Sequence, residues 1–180
     1  MQSHAKIADV TLKNSKLCLR TFKESDLQHV YNGLSNTDVI KYYGVSYNSL
    51  ESAKEQLRWF TKLQEQGEGI WWSICSAGDN AFYGAIGFNN FSKQHLKVEI
   101  GFWLLPEFWG KGIISDAIKL VSYYAFNSLK ANRIEAFVES ENINSSKVLL
   151  KTGFNYEGTM MKCEIKNSEF IDISIYAMLK

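Results

Sequence analysis

Between residues 96 and 139 the spacing of the apolar side chains changes from that of a strand to that of a helix and back again. "LKVEIGFWLL" (96–105) is rich in β-branched and aromatic residues, as strands are. Ile114, Ala117, Ile118, Val121 and Ala125 then recur at helical spacing over 112–128, and "RIEAFVE" (133–139) is strand-like again. A helix carried between two strands brings them parallel through a right-handed crossover, so residues 98–139 are expected to form a βαβ unit.

The flanking segments carry antiparallel signals. "KLCLRTF" (16–22) alternates as a strand does, and "KESDLQHVYNGL" follows with Glu24 or Ser25 near a helix start. A second helix is marked by Ala53, Leu57, Phe60 and Leu63, with Gly67 as its stop; the aromatic stretch 36–50 before it reads as a binding loop. "IWWSICSA" and "FYGAIGFNNF" flank "GDN", the turn chemistry of a hairpin. A short helix over 145–152 ends at Gly153, and "FNYEGTMMKCEI" and "EFIDISIYAML" close the chain as a hairpin around "KNS". This order is α+β, with a mostly antiparallel, partly parallel sheet.

Composition narrows the function classes. At 180 residues with one proline, Pro106, the chain is expected to fold throughout as one domain over 1–180. Twenty Lys and Arg against nineteen Asp and Glu supply no overall electrostatic footprint for nucleic acid or membrane. No apolar run approaches the roughly 18 residues of a membrane span, and the first 16 residues lack an apolar signal core, so a cytoplasmic location is expected. Cys18, Cys75 and Cys163 are odd in number and far apart; they form no disulfide framework or zinc spacing and are expected as buried thiols. His4, His29 and His95 have neither ligand spacing nor a nucleophile motif beside them.

One segment asks for chemistry. In "LLPEFWGKGIISDAIK" (104–119), Gly110 and Gly112 stand between a strand and a helix start, where unpaired amides and the helix dipole suit an anion and glycine lets a phosphate approach. The P-loop pattern is absent, because Lys111 follows the first glycine with no Ser or Thr beside it. A dinucleotide fingerprint would want Gly or Ala where Ser115 stands, and more strands than the remaining residues can supply. A plain chain turn is the competing reading of an isolated glycine pair.

"VEIGFWLLPEFWGKGIISDAI", "NRIEAFVESENINSSKVLLKTGFNYEG" and "DISIYAML" together resemble the GNAT superfamily of acetyl-CoA-dependent N-acetyltransferases, and its Rim-type ribosomal-protein branch in particular, over roughly residues 14–180. The resemblance implies a mostly antiparallel sheet of about seven strands with a central βαβ unit and flanking helices, residues 1–13 being an extra N-terminal segment. It implies that acetyl-CoA is the cosubstrate and that no metal is needed. The family's Q/R-x-x-G-x-G/A turn reads Glu107-Phe-Trp-Gly110-Lys-Gly112 here, a departure at its first position. CoA-binding residues implied are the strand end Phe102, Trp103 and Leu104, whose free amides would also serve the oxyanion, the turn Trp109, Gly110, Lys111, Gly112, Ile113 and Ile114, and Asn142 with Ser145. Lys111 is open to two readings, a phosphate contact or a solvated lysine. Asn142 could equally be a loop residue, and Ser145 a helix N-cap.

The family's usual helix-borne Tyr acid is replaced by Leu149, so the proton for a thiol leaving group of pKa about 8.5 falls to Ser145 or water. Glu99 matches the strand-borne base of some members; between Val98 and Ile100 it would be partly desolvated, the alternatives being an ion pair with Lys97 or Arg133 or a solvated face. Tyr42, Tyr43, Tyr47, Trp71, Trp72 and Phe88 are candidates for the acceptor wall, with core packing as the competing reading, and Asp172 for a site role. The acceptor implied is a peptide or protein α-amine. A small amine such as a polyamine or antibiotic is one alternative: it would favour an acidic cleft, and while the sequence shows no dense acidic cluster, Asp38, Glu51 and Glu55 near the 36–50 loop leave it open. A catalytically silent acyl-CoA-binding module is the other, and a monomer or homodimer is expected.

Overall fold

The structure, a computed structural model, describes residues 5–180; His4 lies outside the described residues. Eight strands form one sheet: β1 (Leu12–Lys13), β2 (Leu17–Arg20), β3 (Ile70–Ser76), β4 (Phe82–Ser92), β5 (Lys97–Leu104), β6 (Arg133–Glu139), β7 (Asn155–Lys166) and β8 (Glu169–Leu179). The helices are α1 (Leu27–Leu34), α2 (Thr37–Ile40), α3 (Leu50–Glu65), α4 (Ile113–Asn127) and α5 (Ile143–Lys151). The spatial order is β1-β2-β3-β4-β5-β6-β8-β7. Among the described residues only β5 and β6 pair in parallel, and α4 lies between them in sequence, as the expected βαβ unit requires. The eighth strand, β1, is two residues long, too short to show alternation in sequence.

Both faces of the sheet are covered at β3, which explains why this strand reads as a continuous apolar run rather than an alternating one. Ile70, Trp72 and Ile74 pack with α4, through Ile114, Ala117, Ile118 and Val121. Trp71 and Cys75 point the other way, onto Val30 and Leu34 of α1 and Phe60 of α3. Gly87 and Gly101 make room for the Trp71 indole: an added Cβ would lie 2.3 Å from the ring at Gly87 and 2.9 Å from it at Gly101. At the start of α1 the buried Asp26 carboxylate accepts both terminal N–H groups of Arg20, at 2.7 and 2.8 Å, and the Lys23 amide at 2.8 Å. Burial acts to raise the Asp26 carboxyl, but these donors outweigh it and hold the group below the usual carboxylate range. The closing hairpin turns on Asn167 and Ser168, both with positive φ, the conformation a two-residue type I′ turn needs.

The expectation of three buried thiols holds for Cys18 and Cys75 and is corrected for Cys163, which is exposed. Cys163 lies on the edge strand β7, where a register irregularity between Met160 and Glu164 leaves the chain unpaired against solvent. His29 stacks on Phe82 from an exposed position, and His95 is exposed in a turn. Among the described residues no helix is long and apolar enough to cross a membrane.

The functional consequence of the topology lies between β5 and β6. Their pairing runs from Lys97↔Arg133 to Glu99↔Glu135 and stops there, although β5 continues to Leu104 and β6 to Glu139. β4 stays on β5 as far as Gly84↔Leu104, and β8 stays on β6 as far as Glu139↔Ile173. The sheet therefore opens at this one seam, and backbone groups along its two lips lack strand partners.

Candidate active site

The glycine turn closes one end of the open seam. Gly110 and Gly112 have φ of +73° and +77°, and open space surrounds the position where a Cβ would stand on either. The left-handed backbone, not crowding, is what calls for glycine here. The first backbone hydrogen bond of α4 is donated by Asp116 to the Gly112 carbonyl (3.1 Å), so the amides from Gly110 to Ser115 have no backbone acceptor among the described residues. Trp109 ties the turn down by donating its indole N–H to the Leu104 carbonyl (2.9 Å). A row of unpaired amides at the N-terminus of a 15-residue helix, with nothing in front of it, fits a pyrophosphate.

Asn142 lies across the seam. It is the N-cap of α5, its Oδ1 accepting the Ser145 amide at 3.2 Å. Ser145 is thus the third residue of the helix and not its cap, which corrects that alternative. Leu149, one turn on, is wholly buried in the core.

Two adjoining cavities occupy the seam, of about 730 and 680 Å³. Tyr42, Tyr43, Phe102, Asn142 and Ser145 line both and mark their junction. The residues expected to hold CoA all line the first cavity except Lys111, which is exposed with its ammonium 5.4 Å from the Phe108 ring. The second cavity holds Glu99, and Trp71 lies in its wall with its indole N–H donated to Asn89 at 2.7 Å.

Three expectations about the acceptor end are corrected. Trp72 and Phe88 are fully buried on the α4 side of the sheet and line neither cavity, because the residues that face the seam from β3 and β4 are of the opposite parity. Asp172 also lines neither; its carboxylate accepts the Lys162 amide at 2.7 Å and stabilises the irregular stretch of β7. Glu99 is half-buried, and its Oε2 accepts the Asn90 side-chain amide at 2.8 Å. Lys97 and Arg133 pair with Glu135 instead, at 2.9 and 2.7 Å, which removes the ion-pair reading of Glu99.

Of the acidic residues singled out near the 36–50 loop, Asp38 lines the first cavity and Glu55 the second, and the structure adds others that the linear reading missed. Lys147 and Lys151, spaced i, i+4 on α5, and Lys41 line the first cavity against Asp38 and Glu141. Glu55, Glu139 and Glu164 join Glu99 in the second, whose lining contains no lysine or arginine. The helical spacing of the two α5 lysines was readable in sequence; the carboxylates come from α3, β5, β6 and β7 and carry no local signal. Tyr43, packed against the α1–α3 core, has its hydroxyl pushed up by burial, with the Tyr47 hydroxyl adding to the shift.

Comparison with known proteins agrees with this geometry. The acetyltransferase (GNAT) domain family matches residues 16–155. An uncharacterised N-acetyltransferase of Bacillus subtilis, YoaA, is 32% identical over 170 residues, covering 94% of this chain and 96% of its own. The ribosomal-protein-serine acetyltransferase of Escherichia coli is 30% identical over 131 residues, 73% of this chain and 72% of its own. The solved structure of spermidine N-acetyltransferase from Vibrio cholerae in complex with CoA and spermine shares the fold, with a TM-score of 0.81 at 23% identity over 92% of this chain and 96% of its own. A family match over 140 residues, together with a relative 32% identical over 94% of this chain, leads to one conclusion: the chain belongs to the GNAT acetyltransferase family and is an N-acetyltransferase.

Proposed function

We propose that the protein transfers an acetyl group from acetyl-CoA to a primary amine by direct attack in a ternary complex, with a peptide or protein N-terminal α-amine as the favoured acceptor. The observation that carries this reading is the reversal of charge along one continuous cleft. Three lysines and unpaired amides outweigh Asp38 and Glu141 at the end by the glycine turn, and carboxylates with aromatic walls line the other. Phosphates belong at the first end and an ammonium at the second. The Escherichia coli relative named for a ribosomal protein supports the peptide acceptor.

Acetyl-CoA supplies the acyl group as a thioester; the chain's own residues position it and move protons. Amides of Gly110 to Ser115 receive the pyrophosphate, and Lys147 and Lys151 complement its charge. Glu99 takes a proton from the incoming ammonium, whose pKa of about 8 for an α-amine makes deprotonation necessary before attack. Asn90 holds one Glu99 oxygen, which leaves the other without a side-chain partner and available to the proton. Free amides along the Phe102 to Leu104 lip stand ready for negative charge on the carbonyl oxygen. Ser145, at the junction of the two cavities, or a water beside it, returns a proton to the departing thiolate in place of the acid that Leu149 cannot supply.

Glu99→Gln tests the assignment. Thiol release with an acceptor peptide should fall by about 10²-fold or more, the usual worth of a positioned base, while calorimetric affinity for acetyl-CoA stays at the wild-type value. Wild-type turnover in this variant would remove Glu99 from the base role. CoA binding without thiol release in the wild-type protein, across peptide and polyamine acceptors, would favour a silent acyl-CoA-binding module. A second reading, a small polyamine acceptor, is favoured by one observation: four carboxylates in the acceptor cavity exceed what a single ammonium needs.

A further inference from the structure

The tip of the β7–β8 hairpin reaches across the cleft. Lys166, the last residue of β7, donates its ammonium to Glu139 Oε1 at 2.5 Å and to the Lys41 carbonyl, and the same nitrogen is 5.7 Å from the Tyr42 ring centroid. The Lys166 and Glu139 side chains are only 26% and 17% exposed. Glu139 and Tyr42 both line the acceptor cavity, as does Glu164, two residues back on the same face of β7. Among the described residues this lysine makes the only hydrogen bond between the segment 36–49 and the β6–β8 part of the sheet.

A carboxylate, a carbonyl oxygen and an aromatic face around one ammonium are the contacts by which a protein holds an alkylammonium ligand. Here the ammonium belongs to the protein. We propose that Lys166 is a specificity-determining latch. It takes up Glu139, so that an acceptor meets one carboxylate fewer, and it straps Lys41 and Tyr42 over the mouth of the cavity. The cleft is thereby shifted toward an acceptor with fewer ammonium groups, and the position held by Lys166 is one that the second ammonium of a polyamine would otherwise take. This inference rests on the proposed function for its assignment of the second cavity to the acceptor.

The test is a spermidine titration by calorimetry on CoA-saturated protein, run beside kcat/KM for spermidine and for the tripeptide amide Ser-Ala-Ala. Lys166→Met removes the charge; Lys166→Gln removes it while keeping a donor for the Lys41 carbonyl, and stands in if the methionine variant folds poorly. Lys166→Arg keeps the charge. Either neutral variant is expected to bind spermidine about tenfold more tightly, the scale of one charged hydrogen bond, and to raise the ratio of kcat/KM for spermidine to that for the peptide by a similar factor. The arginine variant should show no gain. Adding Glu139→Gln to a neutral variant should cancel the gain, because the freed carboxylate is its source.

A lysine that only braces the loop would give a different pattern, with both acceptors weakened together and no reversal by Glu139→Gln. That pattern overturns the latch, as does a spermidine affinity unchanged from wild type in both neutral variants. The two readings fail separately. Absence of acetyl-CoA binding in the wild-type protein would defeat the proposed function, whereas the spermidine titration, repeated without CoA, would still report whether Lys166 competes for Glu139.

Discussion

Substituting Gly112 should separate the backbone's demand from the ligand's. Its φ of +77° is left-handed, and no atom lies within 4 Å of where a Cβ would be, so alanine meets strain without a clash. That strain costs about 1 kcal/mol, which in a chain of this size lowers Tm by roughly 2–4 °C. Aspartate adds a carboxylate at the row of amides from Gly110 to Ser115. A unit charge about 4 Å from a phosphate charge is opposed by about 4 kcal/mol at an effective dielectric of 20, and roughly half of that survives in an open cleft. The remaining ~2 kcal/mol corresponds to about thirtyfold in affinity. Calorimetric titration with CoA should then show Gly112→Ala within about threefold of wild type and Gly112→Asp weaker by about thirtyfold. The aspartate defect should shrink as salt is raised, because added ions screen the repulsion. Both variants should share the same small loss of Tm. If Gly112→Asp binds CoA as Gly112→Ala does, no phosphate approaches this turn and the assignment of the first cavity is wrong.

Gly87→Ala should destabilise the fold by about 1–3 kcal/mol, because the new Cβ would stand 2.3 Å from the Trp71 ring and 2.6 Å from the Ile70 carbonyl oxygen. Since Trp71 also walls the cavity proposed for the acceptor, KM for the acceptor should rise while CoA affinity holds; a urea melt, steady-state kinetics and a CoA titration check these parts. Asp26→Asn leaves Arg20 without its buried counter-charge and should cost about 3 kcal/mol at pH 7. The Asp26 carboxyl is held below its ordinary value in the folded state, so its contribution is complete above about pH 4 and is lost as pH falls through the folded-state value. The stability gap between variant and wild type should accordingly narrow below pH 4 in urea melts, and a gap independent of pH down to 2 would contradict the ion-pair account.

Much of the fold is legible in local spacing. The face formed by Ile114, Ala117, Ile118, Val121 and Ala125 predicts a helix over 112–128, and α4 spans Ile113–Asn127. The "KNS" and "GDN" turns separate the strands they were expected to separate, since turn chemistry is a property of a few adjacent residues. The short helix was expected over 145–152 and spans Ile143–Lys151, because Asn142 caps it with its own side chain. β1 escaped notice because two residues cannot display a period.

What the chain's own order determines is whatever depends on neighbouring residues. Helical and strand periods, the left-handed glycines before α4 and the cap ahead of α5 are all local, and they suffice to mark the end of the cleft proposed for phosphate. At the end proposed for the acceptor the sequence offered candidates, Tyr42, Tyr43, Tyr47, Trp71 and Glu99 among them, but tertiary structure decided which of them line the cavity. Trp71 and Trp72 are adjacent and chemically alike, yet one faces the cleft and the other the α4 core; because β3 is buried on both faces, no polar alternation distinguishes them. Glu55, Glu99, Glu139 and Glu164 lie on four elements, and Lys166 reaches Glu139 across 27 residues of chain. They meet only because β5 and β6 part after Glu99 and Glu135, and a strand's choice of where to leave its partner is made by the packing on both sides of the sheet.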